Sequence, residues 1–361
     1  MKKIIFFLIV FLIPFKVNGL VASSYIVMDQ DSGRVLEGSN INDKRLIASI
    51  SKIMTAIVAI EYGDLENKVK IGDEIIKSYG SGIYVNIGEE LTLDDLLYGL
   101  MLRSGNDAAL AIATHVAGSK DNFVYLMNEM ANKLNMENTK FVNPSGLEEN
   151  DGSGNTSTVY DMAKLTQYAM NNEHYRRIVS TDEIIVKSSL KTYKWINKNK
   201  LLHSYKYCTG GKTGFTKKAK RTLVTTASKD GMNLIVVTFN DGNDFADHKN
   251  LYEKYFNNYE VRTILKKGDK YGNDTYVGKE FNIILKEKDK VSTEVLIDSK
   301  DGKRNGEIVG KIVVSVNDKE IGFRYLYLDK VSVRDDKSIF SRLINLLKRW
   351  GINWLINYGF S

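Results

Sequence analysis

Cysteine, proline and histidine are scarce in this sequence: one Cys (Cys208), two Pro and four His among 361 residues. A lone thiol excludes a disulfide framework. His115, His174, His203 and His248 show no H-x-x-x-H type of spacing, so neither a metal nor a metal cofactor is expected. The longest apolar run, residues 4–15, falls short of the ~20 residues a helix needs to cross a bilayer. Apolar and aromatic residues are plentiful, at 43% and 10%, which excludes a disordered chain. A chain of this length fills more than one core, so two domains or a domain with appendages are expected.

Acidic residues are missing from both ends, and this explains the net charge of +7. Residues 1–19 carry Lys2, Lys3 and Lys16 without an acid, and residues 337–361 carry Lys337, Arg342, Lys348 and Arg349 without one. Those three and four cations account for all seven charges, leaving residues 20–336 formally neutral. A nucleic-acid-binding protein carries its positive charge on the folded body that meets phosphates. No nucleic-acid partner is therefore expected.

The N-terminal cations, the apolar run and the small residues Val17 and Gly19 form the pattern of a secretory signal peptide over residues 1–19, cleaved after Gly19 or, as a variant, after Ala22. The competing reading is an uncleaved anchor. At the other end, Ile339, Leu343, Leu346, Leu347, Trp350, Trp354 and Tyr358 recur at helical spacing opposite Arg342, Lys348, Arg349, Asn353 and Asn357. That describes an amphipathic helix, residues 337–361, lying in the headgroup plane of an anionic membrane. At about 1 kcal/mol per cation near such a surface, its four charges add roughly 4 kcal/mol to apolar burial. The alternative is a terminal helix docked on its own domain. The expected location is the outer face of the cell membrane.

Between the ends, residues 23–37 show a strand, an Asp31-Ser32-Gly33 turn and a second strand. Helical patterns follow at 49–62, 92–102, 107–116, 121–134 and 159–170, with start signals at Thr92-Leu93-Asp94-Asp95 and Thr158-x-x-Asp161. Residues 222–228 and 233–240 flank Asp230-Gly231 and form a hairpin. Strands at both ends with helices between them predict an α+β domain, residues 20–256, built on one antiparallel sheet covered by helices. Short alternating runs at 281–286, 294–298, 311–316 and 321–328 predict a small all-β domain over residues 257–336.

Three short motifs carry potential chemistry. Ser49-Ile50-Ser51-Lys52 stands at a helix start, where residues three apart share a face and an amine can reach a hydroxyl. Alone the pattern is weak, because Ser188-x-x-Lys191 repeats it and a capping Ser beside a surface Lys is its ordinary meaning. Ser104-Gly105-Asn106 lies between two helices and suits a proton relay and an amide contact, although it also suits a simple turn, as does Ser153-Gly154-Asn155. Lys212-Thr213-Gly214 precedes the hairpin and is expected on an edge strand, where Gly admits a substrate backbone and Lys and Thr meet a carboxylate.

Taken in order, S-x-x-K, S-x-N and K-T-G are the signature of penicillin-binding proteins and serine β-lactamases. The match extends through Ala48 to Thr55, Gly99 to Ala108, Asn143-Pro144-Ser145-Gly146-Leu147 and Thr209 to Thr216. Over nearly all of residues 20–336 the chain resembles the low-molecular-mass D-alanyl-D-alanine carboxypeptidases, serine peptidases of the penicillin-binding protein and β-lactamase superfamily. Residues 244–248 resemble branches from spore-forming Gram-positive bacteria. Lys220 departs from the pattern, since relatives commonly have Gly there, and the departure bears on the loop beside the site.

The resemblance implies a β-lactamase/transpeptidase-like fold and a hydrolysis without cofactors. Ser49 would be the nucleophile on the D-Ala-D-Ala end of a peptidoglycan pentapeptide, Lys52 the general base, and Ser104 the proton relay aided by Asn106. Burial and the Lys212 cation would depress the Lys52 pKa. Lys212 and Thr213 would bind the terminal carboxylate, with Gly214 and Phe215 also at the substrate and the Ser49 and Phe215 N–H groups forming an oxyanion hole. β-Lactam antibiotics would acylate Ser49. A class A β-lactamase would add E-x-x-L-N between Asn106 and Lys212, which is absent. A non-catalytic wall-binding protein is the rival of another class. Preference for carboxypeptidase over endopeptidase substrates, and for vegetative wall over spore cortex, stays open.

Overall fold

The computed structural model describes residues 20–272 and 274–329. The signal peptide and amphipathic helix expected at the two ends lie outside them. Among the described residues no helix is long and apolar enough to cross a membrane. The described chain divides into two units, residues 20–262 with 283–288, and residues 263–282 with 289–329.

In the first unit, strands β1 (Ser24–Asp29) and β2 (Val35–Ser39) flank the expected turn, which Gly33 makes at a φ of 75°. Six helices follow: α1 (Lys52–Tyr62), α2 (Leu93–Leu102), α3 (Asn106–Ala117), α4 (Lys120–Lys133), α5 (Val159–Met170) and α6 (Glu173–Ser180). Their starts follow the polar signals. Thr92 and Asp95 form a reciprocal capping box, and the Thr158 hydroxyl accepts from Asp161 N at 3.0 Å. A small hairpin, β3 (Glu183–Lys187) with β4 (Thr192–Ile196), leads to β5 (Cys208–Thr216), β6 (Lys220–Lys229), β7 (Met232–Phe239) and α7 (Asp244–Asn258).

The five long strands pair antiparallel in the order β2-β1-β7-β6-β5. Chain-distant β1 sits beside the central strand β7, with Ser24 opposite Phe239 and Asp29 opposite Leu234. The period-two alternation splits the sheet between two cores. Ile26, Met28, Ile235, Val237 and Phe239 pack with α1 to α6, while Val27, Leu234 and Val236 pack under Leu251, Tyr252, Tyr255 and Phe256 of α7. Each such side chain stabilises the fold by about 1.5–3 kcal/mol when fully buried. His248 lies in the second layer with Thr225 at 2.7 Å and Thr238 at 3.0 Å, and burial pushes its pKa down to about 3. It is a neutral structural side chain.

In the second unit β8 (Thr275–Val277), β9 (Val291–Ile297), β10 (Ile308–Val316) and β11 (Lys319–Leu328) form an antiparallel sheet in the order β8-β11-β10-β9. The turn expected at Asn317-Asp318 joins β10 to β11, with φ values of 50° and 64°.

Candidate active site

Helix α1 is buried from Lys52 to Ala59 and its first residue is a lysine with no exposed surface. A charged amine in that position is costly unless chemistry requires it. The four residues before α1, Ala48–Ser51, form a 3-10 turn. In such a turn positions three apart eclipse one another, which stands Lys52 over Ser49. Lys52 Nζ lies 3.2 Å from Ser49 Oγ and 2.7 Å from Asn106 Oδ1, and also donates to the carbonyl of Ser145. Its pKa is pushed down to about 7, by burial first and by the Lys198 cation second, against the opposing pull of the Asp107 carboxylate. Lys198 thus joins Lys212, the neighbouring cation expected from the sequence, whose own ammonium is opposed by Lys52.

Ser104 sits between α2 and α3 at a φ of 62°, and Ala48, just before Ser49, at 49°. Both are left-handed conformations that L-residues adopt only when the surroundings impose them. Lys212 Nζ donates to Ser104 Oγ at 3.0 Å and to the Thr213 carbonyl at 2.8 Å. The Lys212 side chain is buried, and desolvation holds its ammonium well below the usual lysine range, with Lys52 and Lys198 acting in the same direction. Lys212, expected at the substrate carboxylate, faces Ser104. The physical reason is the alternation of β5: residues 212 and 214 face the helices, and 213 and 215 the opposite side.

The strand β5 is at the sheet's edge, as the sequence predicts. Gly214 backs directly on the Ala48–Ser51 turn, where a Cβ would stand 3.0 Å from Ser49 N and 2.4 Å from Thr222 Oγ1. Phe215 is exposed beside it. Ser49, Ser104, Thr213, Gly214 and Phe215 line one cavity of about 310 Å³. Asn106 is buried beside Lys52, its Nδ2 donating to the Tyr79 carbonyl at 2.6 Å.

Several supporting residues lacked individual roles in the sequence pattern. Asp107 accepts from Ile83 N at 3.0 Å, Tyr84 N at 2.7 Å and Ala108 N at 2.9 Å, tying residues 83–84 to the start of α3. Asn143 Oδ1 accepts from Gly146 N at 2.7 Å and Ser145 N at 3.2 Å, shaping the loop whose carbonyl receives Lys52. Asn155, in the second S-x-N, is buried and anchors that loop through Val142 N at 2.7 Å and the Asn143 carbonyl at 2.8 Å. Ser188 of the second S-x-x-K caps the turn between β3 and β4, its hydroxyl bonded to the Lys191 carbonyl at 3.0 Å. Lys198 lines the same cavity as Ser49, with its Nζ 3.0 Å from Ser81 Oγ. Its only sequence signal was a cation fourteen residues upstream of Lys212.

Comparison with known proteins places this geometry. The model of the D-alanyl-D-alanine carboxypeptidase family matches residues 15–243. The chain is 30% identical to the D-alanyl-D-alanine carboxypeptidase DacF of Bacillus subtilis, over 84% of this chain and 87% of that protein. The crystal structure of a Mycobacterium tuberculosis D-alanyl-D-alanine carboxypeptidase superposes with a TM-score of 0.62 at 30% identity, covering 65% of this chain and 91% of that one. Penicillin-binding protein 5 of Haemophilus influenzae, at 24% identity, shares the fold with a TM-score of 0.71 over 86% of this chain and 97% of its own. With the matched motifs converging on one cavity, this chain belongs to the D-alanyl-D-alanine carboxypeptidase family of serine peptidases.

Proposed function

We propose that this chain hydrolyses the terminal D-Ala-D-Ala bond of peptidoglycan stem peptides through an acyl-enzyme on Ser49. The observation that carries the reading is the Lys52 amine, 3.2 Å from Ser49 Oγ with its pKa pushed down to about 7. A free amine at neutral pH is the base a serine hydroxyl needs.

Ser49 Oγ attacks the carbonyl between the two D-alanines while its proton passes to Lys52 Nζ. The new C–O bond yields a tetrahedral oxyanion that the Ser49 and Phe215 N–H groups stabilise. The C–N bond then breaks, and the departing D-Ala amine takes a proton through Ser104, whose hydroxyl Lys212 holds. Water attacks the ester carbonyl and gives a proton to Lys52 Nζ; the C–Oγ bond then breaks, and that proton returns to Ser49 Oγ as the shortened peptide leaves with a free carboxylate. Asn106 offers its second amide hydrogen to the stem peptide, and Thr213 its hydroxyl to the terminal carboxylate. Gly214 lets the peptide lie close. A β-lactam follows the same path as far as the acyl-enzyme. Among the described residues lining the cavity the one carboxylate is Asp244, which is paired with Arg221. That supports slow deacylation rather than β-lactamase turnover.

The work is placed at the outer face of the membrane, with residues 1–19 directing export and residues 337–361 resting on anionic lipid. Support comes from the charge distribution, which puts all the net positive charge on those ends and none on the body, where a nucleic acid would need it.

The decisive assay incubates the purified protein with a diacyl-Lys-D-Ala-D-Ala peptide and measures free D-Ala. Release is expected from the wild type and lost in Ser49→Ala; equal release from both defeats the reading. A fluorescent penicillin should label the wild type and leave Ser49→Ala unlabelled. Deleting residues 337–361 should free the protein from membranes, and unchanged sedimentation with them would sink the anchoring role.

A further inference from the structure

The formal neutrality of residues 20–336 conceals one local excess of positive charge. Residues 217–221, Lys-Lys-Ala-Lys-Arg, carry four cations in and beside the turn that joins β5 to β6. Arg221 is answered by the buried Asp244 carboxylate. The other three are exposed. Two of them, Lys218 and Lys220, meet Arg45 around a cavity of about 300 Å³ that Leu46, Ala219 and Asn240 complete. Among the described residues no carboxylate lines this cavity. Like charges that converge without a lining acid hold a local positive potential.

The fold holds most of the wall in place. Arg45 Nε donates to Ser24 Oγ at 3.2 Å, Lys218 Nζ to the Gly152 carbonyl at 3.2 Å and Asn240 Nδ2 to Ser23 Oγ at 2.7 Å. Asp43 reaches the Arg45 guanidinium only at 3.5 Å, with both side chains open to solvent, a pairing that water weakens. Lys220 differs from the rest. Among the described residues its side chain makes no hydrogen bond or ion pair, yet its backbone sits at a φ of 60°. Glycine would occupy that conformation freely, whereas a lysine there is strained. Strain kept without a structural return points to a side chain held for a ligand.

We propose that Arg45, Lys218 and Lys220 form a binding site for a phosphate ester. A phosphate group presents several strong acceptor oxygens at once, and an arginine fork with two ammonium groups meets them from two segments of the chain. The Leu46 and Ala219 side chains give the carbons of the ester an apolar wall. Lys220 pairs with Thr216 across the β5–β6 ladder, and Leu46 stands three residues before Ser49. The site therefore lies close to the catalytic cavity, but the two share no lining residue. It stands apart from the carboxypeptidase reading. A lipid headgroup and a water-soluble phosphate ester both carry the chemistry that the three cations recognise.

Calorimetric titration of the full chain with glycerol phosphate, at fixed ionic strength, tests the site, and one saturable event is expected. Removing an exposed cation from an anion weakens binding by about two- to fivefold, so Lys220→Gly should raise the Kd by that factor while Lys220→Arg stays near wild type. Combining Arg45→Gln, Lys218→Gln and Lys220→Gly should abolish the saturable heat and leave penicillin labelling of Ser49 intact. If that triple variant fails to melt cooperatively, the two Lys220 variants decide. No saturable binding by the wild type overturns the proposal. So does an equal loss in Lys220→Gly and Lys220→Arg, or the same loss in Lys249→Gln, which removes an exposed charge from α7. Vesicles of phosphatidylglycerol and phosphatidylcholine separate the sources. With a lipid headgroup, sedimentation falls in Lys220→Gly and glycerol phosphate competes; with a soluble ester, sedimentation is unchanged while the Kd still shifts. Both of these results support the site.

Discussion

Lys52 Nζ stands 3.2 Å from Ser49 Oγ, one 3-10 turn earlier in the chain, and 2.7 Å from Asn106 Oδ1, fifty-four residues later. The short-range contact comes from local helical geometry and the long-range one from the packing of α3 against α1. Both meet an amine with no solvent exposure, which turns a lysine into a base.

The pH profile of acylation follows from that amine. The base works only when unprotonated, so kcat/KM should rise with pH, fall about tenfold per unit on the acid side, and level off above a midpoint near the Lys52 pKa of about 7. Because Lys198 lowers that pKa, Lys198→Met should move the acid limb to higher pH. Stopped-flow labelling by a fluorescent penicillin between pH 5 and 9 measures both. An acid limb that stays in place or moves down in the variant contradicts the assignment.

Lys52 should also cost stability. Its folded-state pKa of about 7 lies below the lysine value of 10.5, so between these values the unfolded chain binds more protons and stability rises with pH. The deficit is greatest below pH 7. Lys52→Met is expected to abolish D-Ala release, and its stability relative to wild type should improve as pH falls from 9 to 6. Thermal melts at the two pH values check the trend; an unchanged or opposite difference refutes it.

Gly146 is irreplaceable on steric grounds. It adopts a φ of 82°, and a Cβ there would stand 2.1 Å from the Ala48 carbonyl oxygen and 3.0 Å from Ser49 N. Gly146→Ala must push the residue before the nucleophile out of place. Penicillin acylation should fall at least a hundredfold, with a stability loss of about 2–4 kcal/mol. Denaturant titration and labelling rates provide the comparison, and wild-type labelling would show that the turn has room to yield.

Lys220 offers a change of opposite sign. It begins β6 at a φ of 60°, where a non-glycine residue costs about 1–2 kcal/mol. Lys220→Gly removes that strain and adds chain entropy of about 0.5–1 kcal/mol to the unfolded state. A net gain of roughly 0.5–1 kcal/mol in stability is expected with labelling by penicillin unaltered. A lower melting temperature would show that the lysine side chain contributes more than its backbone loses.

Local pattern was enough for much of the molecule. The Thr92 and Thr158 caps, the Asp230-Gly231 and Asn317-Asp318 turns and the period-two strands of both units depend on neighbours within a few residues, and such signals are written along the chain. The order of S-x-x-K, S-x-N and K-T-G likewise identified which serines, lysines and asparagines to follow, and set Ser188 and Ser153 aside. Tertiary packing decided what those residues face. Lys212 turns in to Ser104 because the pleat of β5 points it toward the helices, and Lys198 reaches the base's field because the segment after β4 returns to the cavity. Arg221 meets the Thr213 face only through a strand register. The sequence by itself determined the chemical groups and the local turns that present them. The distances, burial and neighbouring charges that tune those groups belong to the folded chain, since they arise between residues tens to more than a hundred positions apart.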